Sequence, residues 1–206
     1  MSATALLLYL TGLVLVFGVR TFLAWRATGD TRFRRPETRA FTPPWWGTVL
    51  FVLAWLLGLA APVTAIATGS SAASPLVGWS GIGVMATGLL LVLAAQAGMS
   101  DSWRIGVQEG EHTALVTGGL FALVRNPVFT GMAVLLVGMA LALPGALSPA
   151  ALLVLVAGVQ VQVRLIEEPY LLRTHGTAYR AYAARTGRFV PMLGRLTLSS
   201  ETKERR

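Results

Sequence analysis

Apolar side chains run along this chain in long unbroken stretches, and charge is confined to the gaps between them. Residues 1–19 carry no charged side chain, Ala40 to Ser100 form 61 consecutive uncharged residues, and Asn126 to Val163 form 38 more. A helix that crosses a bilayer needs roughly 20 apolar residues. The first stretch therefore has room for one span, the second for two and the third for two short ones. Turn-forming residues divide the long stretches at Thr68-Gly69-Ser70-Ser71-Ala72-Ala73-Ser74-Pro75 and at Pro144-Gly145-Ala146-Leu147-Ser148-Pro149. The pattern predicts helices over about 3–25, 45–67, 76–98, 127–143 and 148–165, the last two as a tight hairpin. The expected fold is all-α and membrane-integral with five transmembrane helices. Strand-like alternation and the G-x-G-x-x-G turn of a soluble nucleotide-binding domain are both missing.

Composition points the same way. Of 206 residues, 54% are hydrophobic and 13% charged, against about 25% charged in soluble domains. The absence of cysteine excludes disulfides, thiol nucleophiles and thiolate metal sites. Two histidines, His112 and His175, do not make a metal centre, and no metal is expected. A net charge of +8 would suit nucleic acid in a polar chain. In one this apolar it reads as membrane orientation, so no nucleic-acid partner is expected.

Charge also sets the topology. Arg20, Arg26, Arg32, Arg34, Arg35 and Arg39 follow the first span, which lacks the basic leader of a signal peptide. The positive-inside rule puts that cluster in the cytoplasm. Loops 68–75 and 144–149 then face outside, and all 26 charged residues fall on one side. The chain is expected in the cell membrane as a multi-pass protein, N-terminus outside and C-terminus cytoplasmic. Trp25, Trp45 and Trp46 fall at the inner interface and Trp79 near the outer one.

Chemistry must sit in the two charged segments, 99–126 and the tail after Arg164. Glu167-Glu168-Pro169-Tyr170-Leu171 places two carboxylates at the inner end of the fifth span, costly unless they meet water, a basic partner or a ligand. The structural alternative is a solvated boundary paired with Arg164 or Arg173. Leu115-Val116-Thr117-Gly118-Gly119-Leu120-Phe121 offers a glycine turn with open amides. It leads to Arg125-Asn126-Pro127-Val128-Phe129, where Arg125 is suited to bind a carboxylate in bidentate fashion and Asn126 is biased out of helix by the following proline. Here the alternative is an arginine that snorkels to lipid phosphate. In the tail, Tyr179, Tyr182 and Arg185 are three apart and share a helix face, and Gly187 is a natural helix stop. An amphipathic helix lying on anionic lipid would look the same.

Taken in order, these segments resemble the isoprenylcysteine carboxyl methyltransferase and phospholipid methyltransferase family of integral membrane enzymes. The likeness rests on the glycine turn, Arg125-Asn126-Pro127-Val128-Phe129, the Glu167-Glu168 pair with Leu171, Gly176-Thr177-Ala178-Tyr179-Arg180-Ala181-Tyr182, and Arg188-Phe189-Val190-Pro191. It covers about residues 99–195. Asn126 stands where the family usually has histidine and Phe129 where it has tyrosine. An asparagine can hydrogen-bond as imidazole does but cannot shuttle a proton near neutral pH.

The resemblance implies S-adenosylmethionine as cofactor, in a cytoplasmic pocket lined by Val116, Thr117, Gly118, Gly119, Leu120, Phe121, Arg125, Asn126, Pro127, Glu167, Glu168, Tyr179 and Tyr182. Arg125 and Glu167 are the expected catalytic pair, and Trp103, Arg104 and Phe129 the expected substrate contacts. The implied organisation is a scaffold over 1–98, a methyltransferase-like half over 99–195 and a polar tail over 196–206. The implied partners are a lipophilic acceptor from the bilayer, with a carboxylate or hydroxyl favoured, and anionic membrane lipids. A non-enzymatic lipid- or regulator-binding protein that keeps the fold is the competing expectation.

Overall fold

The computed structural model describes residues 1–19, 21–22, 25–26, 39–70, 74–99 and 115–197. Helix α1 (Ser2–Leu13) continues as a π-helical stretch, Val14–Val19. Helix α2 is Pro43–Thr68, α3 is Pro75–Met99, α4 is Pro127–Ala142 and α5 is Leu147–Gln162. A π-helical turn, Val163–Glu167, joins α5 without a break to α6 (Glu168–Arg185). A 3-10 turn, Gly119–Ala122, precedes α4. The described residues are all-α and membrane-like, as the hydropathy pattern requires.

Among the described residues, four helices are long and apolar enough to cross a membrane: those starting at Ser2, Pro43, Pro75 and Leu147. Helix α4, with 16 residues, is about 24 Å long at 1.5 Å per residue, shorter than a hydrocarbon core of about 30 Å.

Many small residues face inward among the larger core side chains, and many large ones face outward. Ala5, Ala54, Ala61, Ala95, Ala142 and Ala151 are buried, while Leu7, Leu56, Leu90 and Leu153 are exposed. In lipid no hydrophobic force drives helices together, so close backbone approach has to hold them. The most extensive helix pair, α3 with α4, shows how. Gly81 and Gly88 lie seven residues apart on α3, and Gly131 and Gly138 seven apart on α4, a heptad seam. A Cβ on Gly81 would lie 2.5 Å from the Ala142 nitrogen, and one on Gly131 2.8 Å from a Val92 methyl. On Gly88 and Gly138 it would strike the Leu135 and Met85 nitrogens. Since Gly81 meets Ala142 and Gly88 meets Leu135, the helices run antiparallel.

Buried polar contacts pin α1 and its π-helical continuation into the bundle. The Tyr9 hydroxyl donates to Trp55 O at 2.7 Å, and Gly58 makes room for its ring. Gln96 Nε2 on α3 donates to Val16 O at 3.1 Å, inside the π-helical stretch, where the wider turn disturbs the regular pairing of carbonyls. Helix α2 ends on Gly69 at φ 65°, a left-handed cap that glycine adopts without strain.

Candidate active site

The ion pairs among the described residues gather at one end of the bundle, where α4 begins and α5 gives way to α6. Pro127 opens α4, and Asn126 before it is held out of helix at φ −127°, ψ 59°, as the residue ahead of a proline should be. Its neighbour Arg125 turns inward and is buried. Arg125 Nη1 donates to Ala183 O at 2.8 Å and Thr186 O at 2.7 Å, and Nη2 to Glu168 Oε1 at 2.8 Å and Gly194 O at 3.0 Å. Its Nε is buried without a partner. The guanidinium is therefore engaged almost wholly by the protein itself.

Glu168 receives a second cation. Arg188 Nε donates to Oε1 and Nη2 to Oε2, each at 2.8 Å, the parallel fork that guanidinium and carboxylate favour. These bonds raise the Arg188 guanidinium above its ordinary value, so it stays charged. One carboxylate thus ties two arginines that lie 63 positions apart in the chain, and all three side chains are largely shielded from solvent.

The backbone completes the arrangement. After α6 ends, Thr186 is extended and a strap over 186–196 folds back along the start of α4. Arg125 N donates to Gly187 O at 2.8 Å and Asn126 N to Arg188 O at 3.1 Å. Asn126 Nδ2 also donates to Arg188 O at 3.1 Å, and Thr130 Oγ1 to Phe189 O at 2.8 Å. Leu196 N closes the strap on Ala183 O at 3.0 Å. Gly187, expected as a helix stop, serves the fold of the strap: a Cβ there would collide with Val190 O and lie 2.8 Å from Met192 N. The helix itself stops two residues earlier, at Arg185.

Adjacent carboxylates meet opposite fates. Successive helical residues point about 100° apart, so Glu168 enters the clamp and Glu167 does not. Glu167 accepts from Gln162 Nε2 at 3.2 Å and has no cation partner among the described residues. The pairing open to the two glutamates in sequence, with Arg164 or Arg173, is replaced by Arg125 and Arg188. Arg164 instead donates to Gln160 at 2.7 Å. Nor do the glutamates mark a break in the helix: the π turn carries it through.

The glycine turn stands beside this clamp. Gly119 has φ 59°, a left-handed conformation that suits glycine, and a Cβ on Gly118 or Gly119 would meet nothing within 4 Å. The turn is held from below by Tyr182, whose hydroxyl donates to Phe121 O at 2.6 Å. Tyr179 and Tyr182 are both buried, packed with Leu115, Leu171, Leu172 and Leu196, their rings 6.1 Å apart. Their faces support the turn and the helix rather than open onto solvent, and Arg185 on the same helix is exposed. The helix also bends at Gly176, at φ 50° and ψ −119°, so the spacing 176–182 marks a kink followed by the tyrosine-bearing turn.

Val116 and Thr117 form the irregular lead into the glycine turn. Phe129 lies in the first turn of α4, its ring 6.4 Å from Phe51. Trp103 and Arg104 lie outside the described residues. Arg188 and Gln162 were not among the residues expected to bind. Arg188 stands in the terminal Arg-x-x-Pro segment, which was its signal; Gln162 carried none.

This is an all-helical membrane protein with an arginine–glutamate clamp at one end of its bundle. The phospholipid methyltransferase family matches residues 76–178, half of the chain, and the protein belongs to that family. By class it is a membrane methyltransferase. No curated protein matches the chain significantly.

Proposed function

We propose that the protein is an S-adenosylmethionine-dependent methyltransferase that acts on a lipophilic acceptor reaching the site from the bilayer. One observation carries this reading. Among the described residues Glu167 has no cation partner, and it adjoins a clamp that joins the Arg125, Glu168 and Arg188 motif segments, while its neighbour Glu168 is neutralised by two arginines. A lone carboxylate at that place calls for a cationic ligand. The donor's ammonium and sulfonium supply that charge.

The residues present fit such a donor. Glu167 would hold its cationic end, with Gln162 fixing the carboxylate. Arg125 is engaged by Glu168 and four carbonyl contacts in all with its neighbours' backbone and the strap, so in this reading it positions the site. The donor's own carboxylate then falls to the open turn at Gly118 and Gly119. Tyr182 positions that turn through Phe121, with Val116, Thr117 and Leu120 as its flanks, and Asn126 and Pro127 fix the start of α4. When bound, the donor supplies a methyl group activated by its sulfonium. The chain's part is orientation and exclusion of water, the main levers for an in-line displacement. Asn126 offers no proton shuttle, so an acceptor that needs no base, a carboxylate or an activated hydroxyl, suits this site better than a protonated amine. Helix α4, shorter than a hydrocarbon core, supports lateral access of the acceptor near Phe129.

The same absence of an acid–base group at Asn126 supports a second reading, a membrane protein that binds a lipid or regulator without turnover. Purified protein in lipid vesicles, given radiolabelled S-adenosylmethionine and a membrane extract, separates the two. Label in an acidic or hydroxylated lipid supports the enzyme. Binding of S-adenosylhomocysteine by calorimetry without transfer supports the binding protein. No binding of S-adenosylhomocysteine ends the methyltransferase reading and leaves the lipid- or regulator-binding one. The proposed orientation, N-terminus outside and charged end cytoplasmic, is tested by reporter fusions at residues 72 and 200: a cytoplasmic signal at 72 would overturn it.

A further inference from the structure

The strap that closes the clamp carries an apolar tip, Val190-Pro191-Met192-Leu193. Val190, Met192 and Leu193 are 51%, 69% and 65% exposed, an unusual choice for a turn in water, where Gly, Asn, Asp and Ser dominate. Met192 even takes a left-handed φ of 68°, a position usually given to glycine or asparagine. Its conformation is fixed from both sides: Arg188 N donates to Leu193 O at 2.8 Å and Leu193 N to Val190 O at 3.1 Å.

The tip's depth follows from its base. Phe189, just ahead of it, packs against the apolar core of the bundle and accepts from Thr130, one turn into α4. The tip therefore leaves the protein at the level where the apolar helix α4 begins. The exposed charge next to it in the chain is one-sided. Arg185 and Arg195, on either side of the tip in the chain, are exposed, while the only carboxylates between residues 115 and 197 are Glu167 and Glu168, one clamped and one partly buried. An apolar tip flanked in the chain by exposed arginines matches the interface of an anionic bilayer, where apolar groups sink past the headgroups and basic ones stay among them.

We infer that the Val190–Leu193 tip inserts into the bilayer interface on which the protein sits, and that this insertion holds the arginine–glutamate clamp closed. The coupling is direct. The strap between Gly187 and Phe189 supplies the carbonyls that Arg125 N, Asn126 and Thr130 bind, and it supplies Arg188, half of Glu168's neutralisation. A strap lifted from the membrane would take Arg188 with it. The inference needs only that the chain lies in a bilayer, so it can fail while the methyltransferase reading stands, and the reverse.

The cysteine-free chain makes the test clean. Single variants Met192→Cys, Leu193→Cys and, as a water-exposed control, Arg180→Cys are labelled with an environment-sensitive fluorophore in vesicles of phosphatidylcholine with phosphatidylglycerol. Labels at 192 and 193 are expected to be quenched by acyl-chain nitroxide lipids and shielded from iodide, and the label at 180 the reverse. Labels at 192 and 193 that behave like 180 would overturn the insertion. Shielding that fades as lipid is added at fixed protein would assign the tip to a second copy of the chain and overturn it too. For the coupling, Met192→Asp with Leu193→Asp is expected to speed tryptic cleavage after Arg188 in vesicles by about tenfold, the mark of easier local opening. Cleavage at the wild-type rate would leave an inserted tip with no hold on the clamp, and would overturn that half of the inference.

Discussion

The two ends of this protein's structural logic differ in kind. The seam between α3 and α4 is made by removing side chains: four glycines let backbones touch where any Cβ would collide. The clamp at the charged end is made by adding them: two guanidinium groups converge on one carboxylate. The contrast follows from the surroundings. Within lipid, apolar side chains gain nothing by leaving apolar solvent, and close approach is what remains. At the membrane surface, buried charge is tolerable only when its partners are complete. One region fails when something is inserted, the other when something is taken away.

That contrast is broken most severely at Glu168. Glu168→Gln leaves Arg125 buried without its counter-charge, and such a loss costs about 3–5 kcal/mol. Denaturant titration in mixed micelles, with far-UV helicity as control, should show the charged end opening while the span helices persist. A variant as stable as wild type would mean the clamp carries no stability.

Next comes the seam. Gly88→Leu forces α3 and α4 apart, an overpacking cost of about 3 kcal/mol, and its effect should not change with salt. Cysteine crosslinking between positions 85 and 139, buried residues on the two helices, should fall sharply in this variant. Unchanged crosslinking would show that the helices slide rather than separate.

The sharpest comparison is between neighbours. Glu167→Gln should leave the unfolding midpoint near that of wild type and weaken S-adenosylhomocysteine binding by about 1.5–3 kcal/mol, the worth of a charge-assisted contact. Calorimetry showing equal affinity would move the proposed ligand away from Glu167. The smallest effect is expected at Tyr182→Phe. Losing the bond to Phe121 O should cost about 1 kcal/mol, with binding reduced because the glycine turn loses its support. Unaltered binding would detach that turn from the site.

Much of this was open to reading in the chain itself, for definite reasons. Hydropathy runs fix helices because a spanning segment must satisfy its own backbone, and the turns at Gly69 and at 143–146 fall where turn chemistry put them. The Glu167-Glu168 pair stood out because charge at a membrane boundary is costly. Its division of labour did not. Adjacent identical residues look equivalent in one dimension, and only the helical rotation sends Glu168 to two arginines and Glu167 to Gln162. Arg125 was read as a ligand-binding cation from its place before Asn126-Pro127. Its setting among carbonyls of Ala183, Thr186 and Gly194 depends on residues 58 to 69 positions away, beyond any local pattern.

The sequence by itself determined the class of fold, the confinement of charge and the family motifs, since each rests on residue type and short-range spacing. The tertiary structure decided the rest. Heptad glycines became a seam only once two helices were set antiparallel. Three motif segments became one site only once the strap returned to the start of α4. Long-range pairing is a property of which surfaces meet, and that is settled by packing, where a single backbone approach or a single shared carboxylate selects one arrangement from many that the local pattern allows.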